Sequence, residues 1–186
     1  NKAMKNSYIY LFFLIAFVGC SKAIAPVDSA LDQQILHFGN GSEPQGLDPH
    51  IVTGVPEHHL LIAMCEGLTI SNPRGGENLP GVAKSWTISP DGKTYTFFLQ
   101  EDAKWSNGDQ LTASDFIWSW MRILTPSLGS QYPDMLYYVK GAPEYHQGLT
   151  DDFSSVGVTA VNDYELKVEL TNATPFFIKL LSHYST

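Results

Sequence analysis

The stretch VAKSWTISPDGKTYTFFLQ, residues 82–100, narrows the choice of fold more than any other part of the chain. Trp86 and Ile88 alternate with polar residues, and so do Tyr95, Phe97 and Leu99. A period of two is the signature of a strand that buries one face. Pro90-Asp91-Gly92-Lys93 lies between the two runs and carries turn residues in series. The spacing therefore predicts a β-hairpin. A second one is predicted over 156–170, around Asn162-Asp163, with Tyr164, Leu166, Val168 and Leu170 on one face.

Between the hairpins lies WSNGDQLTASDF, Trp105 to Phe116. Its two acids raise the question of paired catalytic carboxylates. Local chemistry explains them first. Asn107-Gly108 is a turn dipeptide, because both residues tolerate positive φ. Thr112 and Asp115 stand at capping-box spacing before Phe116, Ile117, Trp120, Ile123 and Leu124, which recur at helical spacing. The stretch is thus expected to connect a strand region to a helix with one buried face. Asp115 serves the helix start and Asp109 the loop.

Elsewhere the pattern predicts a short strand over 35–40 and a turn-rich loop over 41–57, which holds three prolines and three glycines. A helix is expected over 58–67, with Leu60, Leu61, Met64 and Leu68 as its apolar positions. Cys65 in that stretch reads as a small buried hydrophobe. Pro126 and Gly129 are expected to end the central helix region, and residues 130–149 to be partly helical. TPFFIKLL predicts a final helix with Thr174 as N-cap and Pro175 in its first position.

The first twenty residues look like an address. Lys2 and Lys5 precede an apolar run from Tyr8 to Val18, too short to span a bilayer as a helix but suited to a signal-peptide core. Phe17-Val18-Gly19-Cys20 resembles the lipobox of bacterial lipoproteins. That resemblance implies cleavage before Cys20, its lipidation, and a membrane partner through the lipid anchor. Ordinary cleavage after Ala23-Ile24-Ala25 is the alternative, made less attractive by Pro26. The chain is expected to be an N-terminal part of a longer protein.

With 186 residues, 44% of them hydrophobic, the chain is globular. A formal charge of −8 argues against a nucleic-acid partner, which needs a basic face. No Gly-rich phosphate loop and no G-x-S-x-G elbow occurs. Glu57-His58-His59 invites a metal reading, but adjacent histidines on a helix point about 100° apart, so a polar helix start is preferred. No metal, no cofactor and no enzymatic activity are expected.

NGSEPQGLDPH, GVPE, EGL, PGVAKSWTISPDGKTYTFFLQEDAKWSNGDQLTASDF and WSWMRI together resemble the family 5 extracellular solute-binding proteins, the binding components of peptide ABC importers. The resemblance runs over about 35–183. It implies an α/β, two-lobed periplasmic-binding-protein fold, class II in type with an extra subdomain, of which this chain is an N-terminal part. The implied organisation is a lipoprotein signal peptide (1–20), a tether (21–34), the start of lobe I (35–65) and its inserted subdomain (66–186). It implies a monomer, anchored extracytoplasmically, that binds short peptides in extended form and delivers them to permease subunits. By the same resemblance, Thr53-Gly54-Val55 lend backbone to the peptide and Tyr132 reaches it with its hydroxyl. Relatives that bind a nickel complex, haem or an oligosaccharide, and a sensory receptor lipoprotein, are the alternatives.

Overall fold

The computed structural model describes Ala25, Asp28, Ala30 and residues 33–186. The leader, Cys20 and most of the expected tether lie outside the described residues. The chain falls into two units, 1–40 and 41–186. In the first, Asp28, Ala30 and Gln33 are helical and 35–40 belong to no helix or strand. The strand expected over 35–40 is therefore corrected. A short strand exists only where a neighbour offers its edge, and the sheets of the described residues are built from 69–99 and 158–169.

The second unit runs α1 (Val55–Met64), β1 (Thr69–Ile70), β2 (Leu79–Pro80), β3 (Ala83–Ile88), β4 (Thr94–Leu99), α2 (Ala113–Leu124), α3 (Ala142–His146), β5 (Val158–Asn162), β6 (Glu165–Glu169) and α4 (Phe177–Leu180). Strands β1 and β2 form a small antiparallel pair. The main sheet has the order β3-β4-β6-β5, antiparallel throughout. Both predicted hairpins are present, and their second strands pair to make the sheet centre, with Phe97 opposite Leu166.

Sequence alternation becomes packing at that centre. Tyr95, Phe97 and Leu99 of β4 and Leu166 and Val168 of β6 are buried, joined by Leu170. Helix α2 closes the core with Phe116, Trp120, Ile123 and Leu124. Burying each such large apolar side chain stabilises the fold by roughly 1.5–3 kcal/mol. The outer strands are less regular. β3 slips register between Ala83 and Ser85, and β5 between Ala160 and Asn162.

The hairpin turn is closed by its own side chains. Gly92 has φ of 70°. Asp91 Oδ1 accepts from the Ser89 hydroxyl at 2.5 Å and from Lys93 N at 3.2 Å, and Ser89 Oγ accepts from Thr94 N at 2.9 Å.

The acids of WSNGDQLTASDF are held locally. Asp109 Oδ2 accepts from Asn107 Nδ2 at 2.7 Å across the turn, where Gly108 has φ of 94°. Asp115 Oδ2 accepts from Thr112 N at 2.7 Å and from Thr112 Oγ1 at 3.0 Å. Asp115→Ala is expected to lower stability by about 1 kcal/mol, as loss of a cap does. Asp109→Ala is expected to stay within about 0.5 kcal/mol, since the backbone still holds its turn. Urea midpoints of the two variants check this. Lost ligand binding at unchanged stability in Asp115→Ala would instead make the acid a contact residue.

Three helix expectations are corrected. Helix α1 starts at Val55 rather than 58, with Pro56 in its first turn, where the missing N–H costs nothing. It ends at Met64, so Leu68 is not on it; Leu61 is buried, while Met64 is 67% exposed. Cys65 takes the extended C-cap position and is exposed, not a buried hydrophobe. Helix α4 starts at Phe177, not at Pro175. Thr174 still turns the chain, its C=O accepting from Phe177 N at 3.0 Å.

Candidate functional site

The site grows from the loop before α1. Asp48 makes its first turn: its Oδ1 accepts from His50 N at 3.0 Å, and its C=O accepts from Ile51 N and Val52 N, both at 3.1 Å. Arg122, in the last turn of α2, grips this turn with both ends of its guanidinium. Nη1 donates to Asp48 Oδ1 at 2.8 Å and Nη2 to Oδ2 at 2.5 Å. Nη1 also donates to His50 Nδ1 at 2.8 Å. Arginine has no acceptor, so this bond fixes Nδ1 as the bare nitrogen and leaves the proton on Nε2. Nε2 then donates to Ser119 Oγ at 3.3 Å. Ser130 Oγ donates to the His50 carbonyl at 2.7 Å.

The charges respond accordingly. The Arg122 hydrogen bonds hold the Asp48 carboxyl down at about 2. Burial, and then the Arg122 charge, lower His50 to about 4, so its ring is neutral at pH 7. The loop is thereby locked onto α2, and the chain leaves the lock at Val52.

Residues 53–55 follow. Thr53 is exposed, and Gly54 is extended at φ −75°, ψ 156° as the N-cap of α1. The Gly54 carbonyl accepts from His58 N at 3.0 Å. Among the described residues no hydrogen bond uses the N–H or C=O of Thr53 or the N–H of Gly54. These backbone groups are therefore open to pairing, with Gly54 in the extended region. The segment borders a recess of about 450 Å³ lined also by Gln45, Leu47, Asp48 and Glu57. Glu57 is 3% exposed, and its Oε1 accepts from Gln45 N at 2.6 Å.

Tyr132 reaches the same neighbourhood from the loop after α2. Its half-buried ring meets His183 edge-on, centroids 5.1 Å apart, and Tyr184 at 6.3 Å. Tyr184 donates its hydroxyl to the Val52 carbonyl at 2.9 Å. Burial, then Tyr132, and last the Glu57 carboxylate push the Tyr184 hydroxyl up to about 12, so it stays a donor. His58 lies edge-on to Tyr184 at 5.4 Å and 6.1 Å from His183, which burial and His58 together lower below its ordinary pKa.

The structure sets Tyr132 beside Tyr184, whose hydroxyl bonds the carbonyl of Val52, the residue before Thr53-Gly54-Val55. Sequence reasoning missed Tyr184 and His183. No local pattern marks them, because their partners lie up to 132 residues away in the chain. It also missed the lock of Asp48, His50 and Arg122, although LDPH carried the turn signal. His58 and His59 lie with ring centroids 6.1 Å apart and tilted. Among the described residues no group of three or more His, Cys, Asp or Glu is placed to hold a metal ion. Nor is any helix among them long and apolar enough to cross a membrane.

Comparison with known proteins adds a family context. Residues 78–186 match the model of the bacterial extracellular solute-binding proteins, family 5 middle segment. The periplasmic oligopeptide-binding protein OppA of Escherichia coli K12 is 43% identical over 98% of this chain and 34% of its own length. The oligopeptide-binding protein OppA of Bacillus subtilis 168 is 42% identical over 81% of this chain and 27% of its own. Among solved structures, Haemophilus influenzae OppA in complex with RPPGFSPFR superposes with a TM-score of 0.74 at 41% identity, covering 78% of this chain and 28% of that one. The chain spans about a third of the length of these curated relatives. Its α/β fold is that of a part of the periplasmic peptide-binding proteins.

Proposed function

Because the chain belongs to the family 5 bacterial extracellular solute-binding proteins, we propose that its whole protein is the substrate-binding component of an ABC importer for short oligopeptides. The observation that carries this reading is the unpaired backbone at Thr53 and Gly54, extended at Gly54. A peptide in extended form adds itself to such an edge as a strand. Main-chain bonds then supply affinity that is indifferent to sequence. Val55 closes the edge where the helix begins, and Tyr132 offers a flat face and a hydroxyl beside it. The relatives' names, oligopeptide-binding and periplasmic, support the ligand class and an extracytoplasmic location. Lipidation at Cys20, delivery to a membrane permease and a monomeric state belong to the same proposal. So does the division into the start of a lobe (35–65) and a subdomain inserted in it (66–186).

Native mass spectrometry of the full-length protein, purified without its leader, tests the ligand class. A ladder of mixed short peptides among the ejected ligands is the expected result. A single non-peptide species would overturn it. A second measurement probes the edge itself. A Cβ added at Gly54 would stand 1.9 Å from Glu57 Oε2, so Gly54→Ala must drive that carboxylate from its place in the recess. Gly54→Ala and Tyr132→Ala are each expected to weaken tripeptide binding about tenfold, or about 1.4 kcal/mol, by calorimetry. Wild-type affinity in both would remove the site from this face.

A further inference from the structure

Within the peptide-binding reading, on which this inference rests, Tyr184 does something no other side chain of the site does. Its hydroxyl donates to the Val52 carbonyl at 2.9 Å, across 132 residues of chain. Val52 is held from its other side as well, since its N–H donates to the Asp48 carbonyl at 3.1 Å. Downstream, the Gly54 carbonyl accepts from His58 N at 3.0 Å. Thr53 and the Gly54 N–H are thus bracketed by two fixed carbonyls. The second is fixed by its own helix, α1. The first is fixed by a side chain that follows α4.

The ring of Tyr184 is held separately from its hydroxyl. Tyr132 meets it edge-on at 6.3 Å, His183 lies 4.2 Å away at a tilt of 33°, and His58 stands edge-on at 5.4 Å. Three rings therefore keep the Tyr184 ring in place, and the hydroxyl is left to grip the backbone. A peptide that adds itself as a strand bonds to main-chain groups, and such bonds weaken steeply when misaligned. Backbone already in position costs less to order when the peptide arrives.

We propose that Tyr184 is a positioning residue of the peptide site: its hydroxyl holds the Val52 carbonyl and so fixes how Thr53 and Gly54 present their backbone to a peptide. It also sets the edge beside Tyr132, because the same ring that grips Val52 packs against that tyrosine.

Calorimetry of the full-length protein with trialanine and tetraalanine tests this. Tyr184→Phe keeps the ring and removes the donor. It is expected to weaken both peptides about fivefold, the worth of one hydrogen bond, while a thermal melt shows it folded. A pH profile separates positioning from packing. Burial, then Tyr132, and last Glu57 push the wild-type hydroxyl up to about 12, so it donates throughout neutral pH. Replacing Tyr184 by difluorotyrosine, whose fluorines withdraw charge from the phenol, brings ionisation to lower pH, and phenolate absorbance reads the midpoint. A phenolate cannot donate and repels the Val52 carbonyl. The affinity of this variant relative to wild type is expected to fall as pH rises through that midpoint; titration of the peptide itself cancels in the ratio. Wild-type affinity in Tyr184→Phe, or a ratio that stays flat through the midpoint, would overturn the positioning role and leave peptide binding standing. Failure of the wild type to bind either peptide would overturn the peptide-binding reading and the positioning role with it.

Discussion

Trp120→Ala is expected to cost about 4 kcal/mol of stability, roughly a thousandfold in the folding equilibrium. Trp118→Ala, two residues earlier on the same helix, is expected to cost less than about 0.5 kcal/mol. The two indoles differ only in the face they take. Trp120 is fully buried against the sheet, and its Nε1–H donates to the Thr186 carbonyl at 3.3 Å. Removing it opens a cavity that the rigid β4–β6 centre cannot collapse into, and it strands an acceptor. Trp118 is 60% exposed and loses little. Urea unfolding of both variants reads the difference directly. Equal losses would mean that α2 presents a different face to the sheet.

Acid is expected to weaken the protein between about pH 6.5 and 4 chiefly through His50, with His183 acting in the same direction. His50 is buried and neutral, with its pKa lowered from 6.5 to about 4. Facing it are the Arg122 guanidinium, which donates to it, the Asp48 carboxylate and the Ser119 hydroxyl. Between these pH values the unfolded chain takes up a proton at His50 that the folded one refuses. The stabilisation is therefore fully present above about pH 6.5 and is lost as pH falls towards 4, up to about 3 kcal/mol. Asp48 acts lower still. Its pKa, depressed from 3.8 to about 2, contributes stability above 3.8 that disappears as pH falls through 2. Urea midpoints at several pH values, compared between wild type and His50→Gln, isolate the histidine. The wild type should lose stability over the window more steeply than the variant. Parallel profiles would mean that His50 is not held neutral. The backbone at Thr53 and Gly54 should loosen in the same window, because the lock of Asp48, His50 and Arg122 immediately precedes Val52.

Local regularity decided what could be read in advance. Both hairpins, the turn at Asp91-Gly92 and the capped start of α2 depend on neighbours within a few residues, and these were legible. The start of α1 was misplaced because apolar spacing begins at Leu60 while the helix begins at the Val55-Pro56 signal. The strand expected at 35–40 needs a partner edge, which no local pattern supplies. Site residues divided along the same line. Thr53, Gly54, Val55 and Tyr132 came from the family likeness; Tyr132 lies beside Tyr184, which bonds the carbonyl of Val52. Tyr184, with His183 and the grip of Arg122 on Asp48, depends on contacts between distant segments. Glu57 was read as an acid just before a helix, in a polar helix start, whereas it lies in the first turn of α1.

The register slips in β3 and β5 bear on how the molecule avoids its own kind. These are the two outer strands of the sheet, and an outer strand left straight invites a stranger to dock and begin a fibril. The slip in β3 falls at Lys84 and that in β5 at Val161, each bending the rim where another copy would have to align. Lys84 also sets a solvated charge there, beside Glu101. The rims of the sheet are thus blunted, whereas the backbone N–H groups of Thr53 and Gly54 are left unpaired among the described residues. A protein proposed to accept a foreign strand has to be sticky in one place and unsociable elsewhere, and its geometry separates the two.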